Sequence, residues 1–280
     1  MIQLDKPNYN SDDSIEKVTV GITGDTPLRQ AVRSEQNIFS AWEQQYLDRI
    51  DNGSLFEFEA NTHVFQAVTH DNIAKLYPNY FSKKNKPARD IYDAIKNAAA
   101  GKCPFCGGIG FPKNLDHYLP KRSFSQFSIL PLNLVPACRD CNMGAKGQSF
   151  AINAEKQALH PYEDAQHFFD EQWVFAEYIP SDNDDEVGEF RFYAKPPEAW
   201  NAIDTARAKF HFEAFELAEK FATKAAEELP IALTQFKRLR LKGIDERTIK
   251  ESIFSIPIES FIFVNHWRRC MYQALYTHDF

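Results

Sequence analysis

"CPFCGGIGFPKNLDHYLPKRSFSQFSILPLNLVPACRDCNMGAKG", residues 103–147, holds two Cys-x-x-Cys pairs around a segment that contains Asp-His and two asparagines. Cys103 with Cys106, and Cys138 with Cys141, stand 31 residues apart. Each pair has the bite that sets two sulfurs on adjacent corners of a tetrahedron about 2.3 Å from zinc. Four thiolates complete the shell and leave no position for water or substrate, so the expected Zn²⁺ is structural. An iron–sulfur cluster is the alternative occupant. The fifth cysteine, Cys270, lies in a helical pattern and is expected in a core. An odd count with four cysteines in close pairs argues for metal over disulfides in a reducing compartment.

The clamped segment has its own pattern. NLDHYLP (114–120) has strand character ending at Pro120, SILPLNLVPA (128–137) supplies a second strand, and CRDCNMGAKG (138–147) suits a short helix stopped by Gly147. Asp116 and His117 fall on the first strand, Asn133 on the second, and Asn142 directly after the last cysteine.

This order of residues resembles the HNH endonucleases, the ββα-metal or His-Me finger superfamily, in the subtype stapled by two Cys-x-x-Cys knuckles. The likeness covers about 60 of 280 residues. Asn142 stands where many relatives have histidine, making this an H-N-N variant. The resemblance implies His117 as general base toward an attacking water, a role suited to a side chain that titrates near neutral pH. It also implies Asp116 and Asn142 as ligands of one catalytic divalent ion, Mg²⁺ or Mn²⁺. Asn133 would brace the loop and orient His117. Neighbours on a regular strand face opposite ways, so the strand is expected to break where Asp116 and His117 meet. Lys121, Arg122, Arg139 and Lys146 are candidate nucleic-acid contacts, and His160 is a weaker candidate to extend the site.

Farther out, the chain is long enough for one large or several small domains, with 44% hydrophobic residues and 24 Phe to build cores. The net charge is −7, but residues 83–147 hold 11 Lys and Arg against 4 acids, a local +7 that leaves −14 on the remainder. Positive charge therefore concentrates where a phosphate backbone would lie. No apolar run of signal-peptide or membrane-spanning length is present, so a soluble, cytoplasmic protein without membrane contact is expected.

Residues 1–24 read as irregular, with helices expected at 26–50, 57–76 and 87–99. Strands are expected at 173–179 and 189–194, joined by an acidic hairpin loop. A helix at 201–228 should stop at Pro230, and helices at 230–241, 245–254 and 258–276 follow. The expected fold is α+β and predominantly α: an N-terminal helical region (1–99), the zinc-stapled finger (100–160), and a C-terminal helical region with a β-hairpin near 173–194 (161–280).

The expected function is metal-dependent hydrolysis of nucleic-acid phosphodiesters, DNA favoured. Resemblance places such proteins in bacterial anti-phage defence, with a partner ATPase or a homo-oligomer presenting substrate. The alternatives are a non-catalytic zinc module that binds nucleic acid or a partner protein, and an RNA-directed HNH nuclease.

Overall fold

Asn10 opens the first helix by accepting the N–H of Asp13, while the Asp13 carboxylate accepts the N–H of Asn10. This reciprocal cap starts α1 (Ser11–Gly21) inside a stretch expected to be irregular, because the polar run that reads as loop is itself the cap. The computed structural model describes every residue except 147–149, 183–186 and 262, with the backbone alone described at 144–146. The expected acidic hairpin loop and the helix stop at Gly147 therefore fall on or against positions outside the described residues. The chain is α+β and mainly α, and no described helix is long and apolar enough to cross a membrane.

The helix expected over 26–50 is two, α2 (Thr26–Ser34) and α3 (Gln36–Asp51). Glu35 stands between them, 4% exposed, and its carboxylate accepts the N–H groups of Gln66 and Ala67. That interaction draws residues 61–69 into an irregular path, so of the helix expected over 57–76 only α4 (His70–Leu76) forms as α-helix, running on into a π-helical turn (Tyr77–Phe81). After α5 (Arg89–Ala98) come β1 (Asn114–His117) and β2 (Leu134–Ala137), shorter than the strands expected at 114–120 and 128–137. A π-helical segment, Asp140–Lys146, begins within the second cysteine pair and carries Cys141.

Residues Gln3–Asp164 form one compact unit, so the boundary expected near residue 99 lies inside it. Its core joins Ile15, Val18, Ile73, Ile91 and Ile95 of the helices to Leu115 of β1 and Leu134 of β2. A two-stranded ribbon is marginal by itself, and this burial is what supports it.

The second unit, Ala165–Phe280 with Met1–Ile2, pairs β3 (Val174–Ile179) with β4 (Glu189–Ala194), antiparallel, after the short helix α6 (His167–Asp170). The expected helix at 201–228 breaks at Glu216, φ 53°, into α7 (Ala202–Ala214) and α8 (Leu217–Leu241). Pro230 does not end α8. Both Pro230 and Ala226, whose carbonyl loses its helical donor, are exposed, so solvent replaces the missing bond. Then come α9 (Glu246–Ile253), matching the helix expected at 245–254, and α10 (Ser255–Ser260) and α11 (Trp267–Thr277), where one helix over 258–276 was expected. Cys270 is core, 1% exposed, with burial pushing its thiol up to about 12.

Glu35→Ala leaves two inward amides without their acceptor and should lower stability by about 2–4 kcal/mol in urea unfolding. Glu35→Gln, which keeps an acceptor oxygen, should cost clearly less.

Candidate functional site

The four clustered cysteines are all buried, with sulfurs within 4.8 Å of one another and Cys106 Sγ 4.0 Å from Cys138 Sγ. A zinc tetrahedron with bonds of about 2.3 Å has sulfur–sulfur edges of about 3.8 Å, so the cluster could hold a metal ion such as zinc. The Gly110 N–H donates to Cys106 Sγ at 3.3 Å, as knuckle amides do toward a thiolate. A Cβ on Gly110 would lie 2.5 Å from both Cβ and Sγ of Cys138, so no larger residue fits between the two pairs. Hydrogen bonding among the four thiols pushes Cys106 down and Cys138 down to about 7, and pushes Cys103 and Cys141 up. Binding a cation there must displace the protons the cluster retains.

The segment between the pairs is organised by Asn133, which is fully buried. Its Oδ1 accepts from Leu119 N at 2.7 Å and from the Tyr46 hydroxyl at 3.2 Å. Its Nδ2 donates to the carbonyls of Leu119 and Phe127, both at 3.0 Å. Asn133 thus takes over from the strand ladder: Tyr118 N reaches Asn133 O at 2.8 Å, and beyond it the side chain does the pairing.

That register makes Leu115 and Pro136 a pair whose backbone groups point outward, where the missing N–H of Pro136 breaks no ladder bond. Tyrosines cover the outward groups. The Tyr77 hydroxyl donates to Leu115 O at 3.0 Å, the Tyr92 hydroxyl also meets the Leu115 backbone, and the Tyr162 hydroxyl donates to Leu134 O at 2.8 Å.

His117 ends β1. Its Nε2 lies 2.9 Å from Ser128 O, and because a carbonyl only accepts, Nε2 carries a proton and Nδ1 is the basic nitrogen of the neutral ring. Ser128 is held in turn by its hydroxyl, which donates to Ile73 O of α4 at 3.1 Å. The Tyr77 ring meets the imidazole edge-on at 4.4 Å.

A cleft of about 400 Å³ is lined by Asp116, His117, Asn142, Lys121 and Arg122, with Asn114, Tyr77, Tyr92 and Ser82 among its walls. All four residues of β1 line it, so the cleft runs along the strand and past its end instead of against one face. β1 stays paired through both residues, so the break expected between Asp116 and His117 does not occur, and it is the course of the cleft that lets these two neighbours reach one cavity. Lys121 is half-buried beside Asp116, and burial lowers its ammonium while Asp116 opposes that shift. Asn142 reaches the cleft by a 3.1 Å bond from its Nδ2 to Asn114 Oδ1.

Of the residues singled out from sequence, the cleft brings together Asp116, His117, Asn142, Lys121 and Arg122. Asn133 lies behind it, and Arg139 is exposed outside it. The side chain of Lys146 is outside the described residues. His160 does not extend the cleft. It is 1% exposed, its Nδ1 accepts from Tyr162 N at 3.3 Å, and its Nε2 faces the Tyr46 hydroxyl at 3.4 Å, behind Asn133. Sequence reasoning missed Tyr77, Tyr92 and Asn114. The tyrosines lie in helical segments far from the motif, and only the helical packing brings them in.

Protein ea31 of Escherichia phage lambda is 39% identical to this chain over 249 residues, covering 83% of each. No family model matches the chain, and no solved structure matches it.

Gly110→Ala should abolish tight metal retention, because the added methyl occupies the space of Cys138. Metal analysis after gel filtration is expected to give about one zinc per wild-type chain and well under half of that in the variant.

Proposed function

The chain belongs to the family of protein ea31 of Escherichia phage lambda, and from that premise we propose that it is an HNH endonuclease, hydrolysing phosphodiester bonds of nucleic acid, DNA favoured, with a catalytic divalent ion. The observation that carries this reading is the shared cleft of Asp116, His117 and Asn142, with Lys121 and Arg122 beside them. The four-cysteine cluster is then a structural zinc site, its shell closed by thiolates and its work confined to fixing the segment before β1 against the segment after β2. A relative in a phage genome fits a protein that acts on mobile DNA or against it, as an anti-phage nuclease with a partner ATPase or a second copy would.

In this reading Nδ1 of His117 takes the proton of the attacking water, and the carbonyl of Ser128 keeps the ring in the tautomer that can accept it. The water oxygen bonds to phosphorus, the bond from phosphorus to the 3′ oxygen breaks, the leaving oxygen takes a proton from solvent, and His117 returns its proton to solvent. Asp116 and the Oδ1 of Asn142 would hold Mg²⁺ or Mn²⁺, which supplies charge stabilisation to the phosphorane and the leaving oxygen. Lys121 and Arg122 would contact the phosphate from the cleft wall. Asn133 positions: it holds Phe127 O, one residue before the acceptor of His117.

His117 is 6% exposed, so His117→Ala removes packing as well as a base. The cleaner variant is His117→Gln, whose amide can still donate to Ser128 but cannot take a proton. Plasmid nicking with Mg²⁺ or Mn²⁺ should fall by about 10²–10⁴ in His117→Gln, with zinc content unchanged. Asn142→Ala should also nick slowly and be rescued in part by excess Mn²⁺, while His117→Gln should not. Wild-type rates in both variants would overturn these residue roles, and a wild-type chain that does not nick with either metal ion would replace this reading with a non-catalytic zinc module.

A further inference from the structure

Phe111 sits on the knuckle between the first cysteine pair and β1, and it is 60% exposed. Exposure of one apolar side chain is ordinary, but this ring is also held. A Cβ on Gly101, where φ is +76°, would lie 3.2 Å from its Cε2, so the ring rests against a backbone that carries no side chain. The Lys113 ammonium lies 5.0 Å from the ring centroid. Lys113 is followed by Asn114, which lines the cleft and bonds Asn142. Three residues of extended chain span at most about 10 Å, so the ring stands within nucleotide reach of the cleft. Met143, the residue after Asn142, is 66% exposed.

We propose that Phe111 is a stacking platform for an unpaired base next to the scissile phosphate, so that the site prefers single-stranded or locally opened nucleic acid over intact duplex. This rests on the nuclease reading above. A base in a duplex already has both faces covered, whereas an unpaired base gains from a fixed aromatic ring. Lys113 supplies a cation beside the same ring, where the phosphate following the stacked base would lie. A protein partner would use an exposed aromatic as well, but the lysine on the ring, the local +7 charge and the adjoining polar cleft favour an anionic strand.

The test is fluorescence anisotropy with labelled oligothymidylate and with a duplex of equal length, using the full chain loaded with zinc and with Ca²⁺ in place of Mg²⁺ to suppress cleavage. Phe111→Ala should weaken single-strand binding by about 5- to 150-fold, which corresponds to about 1–3 kcal/mol. Duplex binding should change by less than about twofold, and Phe111→Trp should restore the single-strand affinity. Unchanged single-strand affinity in Phe111→Ala, or equal losses on both probes, would overturn the stacking role and leave the hydrolytic reading standing. Wild-type protein that binds neither probe would overturn both.

Discussion

The buried amide of Asn133 is the constraint on which the rest of the clamped segment depends. An amide in a dry core is tolerable only when both ends are satisfied, and Asn133 has two donors on its oxygen and two acceptors for its nitrogen. Those four partners come from three places: α3, the turn after β1, and the turn before β2. One side chain therefore fixes where the ribbon stops, how the connecting loop folds, and how that loop meets the helical core. The Tyr46 hydroxyl extends the network to His160, so a helix that contributes nothing to the cleft still sets its back wall.

The consequence for His117 is indirect and strong. Its ring orientation depends on Ser128 O, which is placed by the Asn133 bond to Phe127 O on one side and by the Ser128 hydroxyl on Ile73 O on the other. α4 grips the same loop a second time, where His70 Nε2 donates to Arg122 O at 2.8 Å and the Ser125 hydroxyl lies 3.0 Å from His70 Nδ1. The loop that carries Lys121 and Arg122 is thus splinted at both ends by one short helix. A proposed general base, and the cations proposed to meet phosphate, are held by the same scaffold.

The cysteine spacing, the Asp-His pair and Asn142 were legible because each is a local signal, and their meeting in space needs only a ribbon and a turn. The strand lengths were not, because Asn133 replaces ladder bonds with side-chain bonds that look like strand in sequence. The break at Glu35 was illegible for a different reason. A glutamate in a helical pattern reads as a solvated face, and nothing nearby reveals that Gln66 and Ala67 will present their amides to it. Pro230 failed as a stop because the cost of a proline depends on whether solvent can reach the carbonyl it orphans. The cap at Asn10 was readable, since Asn-x-x-Asp is a variant of a known start signal, and it was outweighed by the polar run around it.

The walls of the cleft follow from a problem unrelated to chemistry. A two-stranded ribbon has two open edges, and each outward N–H or C=O must find a partner or remain a site for wrong pairing. Here the edge of β1 is covered at Leu115 by Tyr77 and Tyr92, long side chains whose hydroxyls reach the backbone. The groove along the strand is lined by Tyr77, Ser82 and Tyr92 on the helical side, by Asp116 and His117 of β1, and by Asn142 from the segment after β2. Burial then acts on whatever enters. It raises both tyrosines and lowers Lys121, so Asp116 and Lys121 interact in a less polar medium than open water would give them. The side chains that protect the sheet edge are in this chain the same ones that wall the cleft proposed to take a charged substrate.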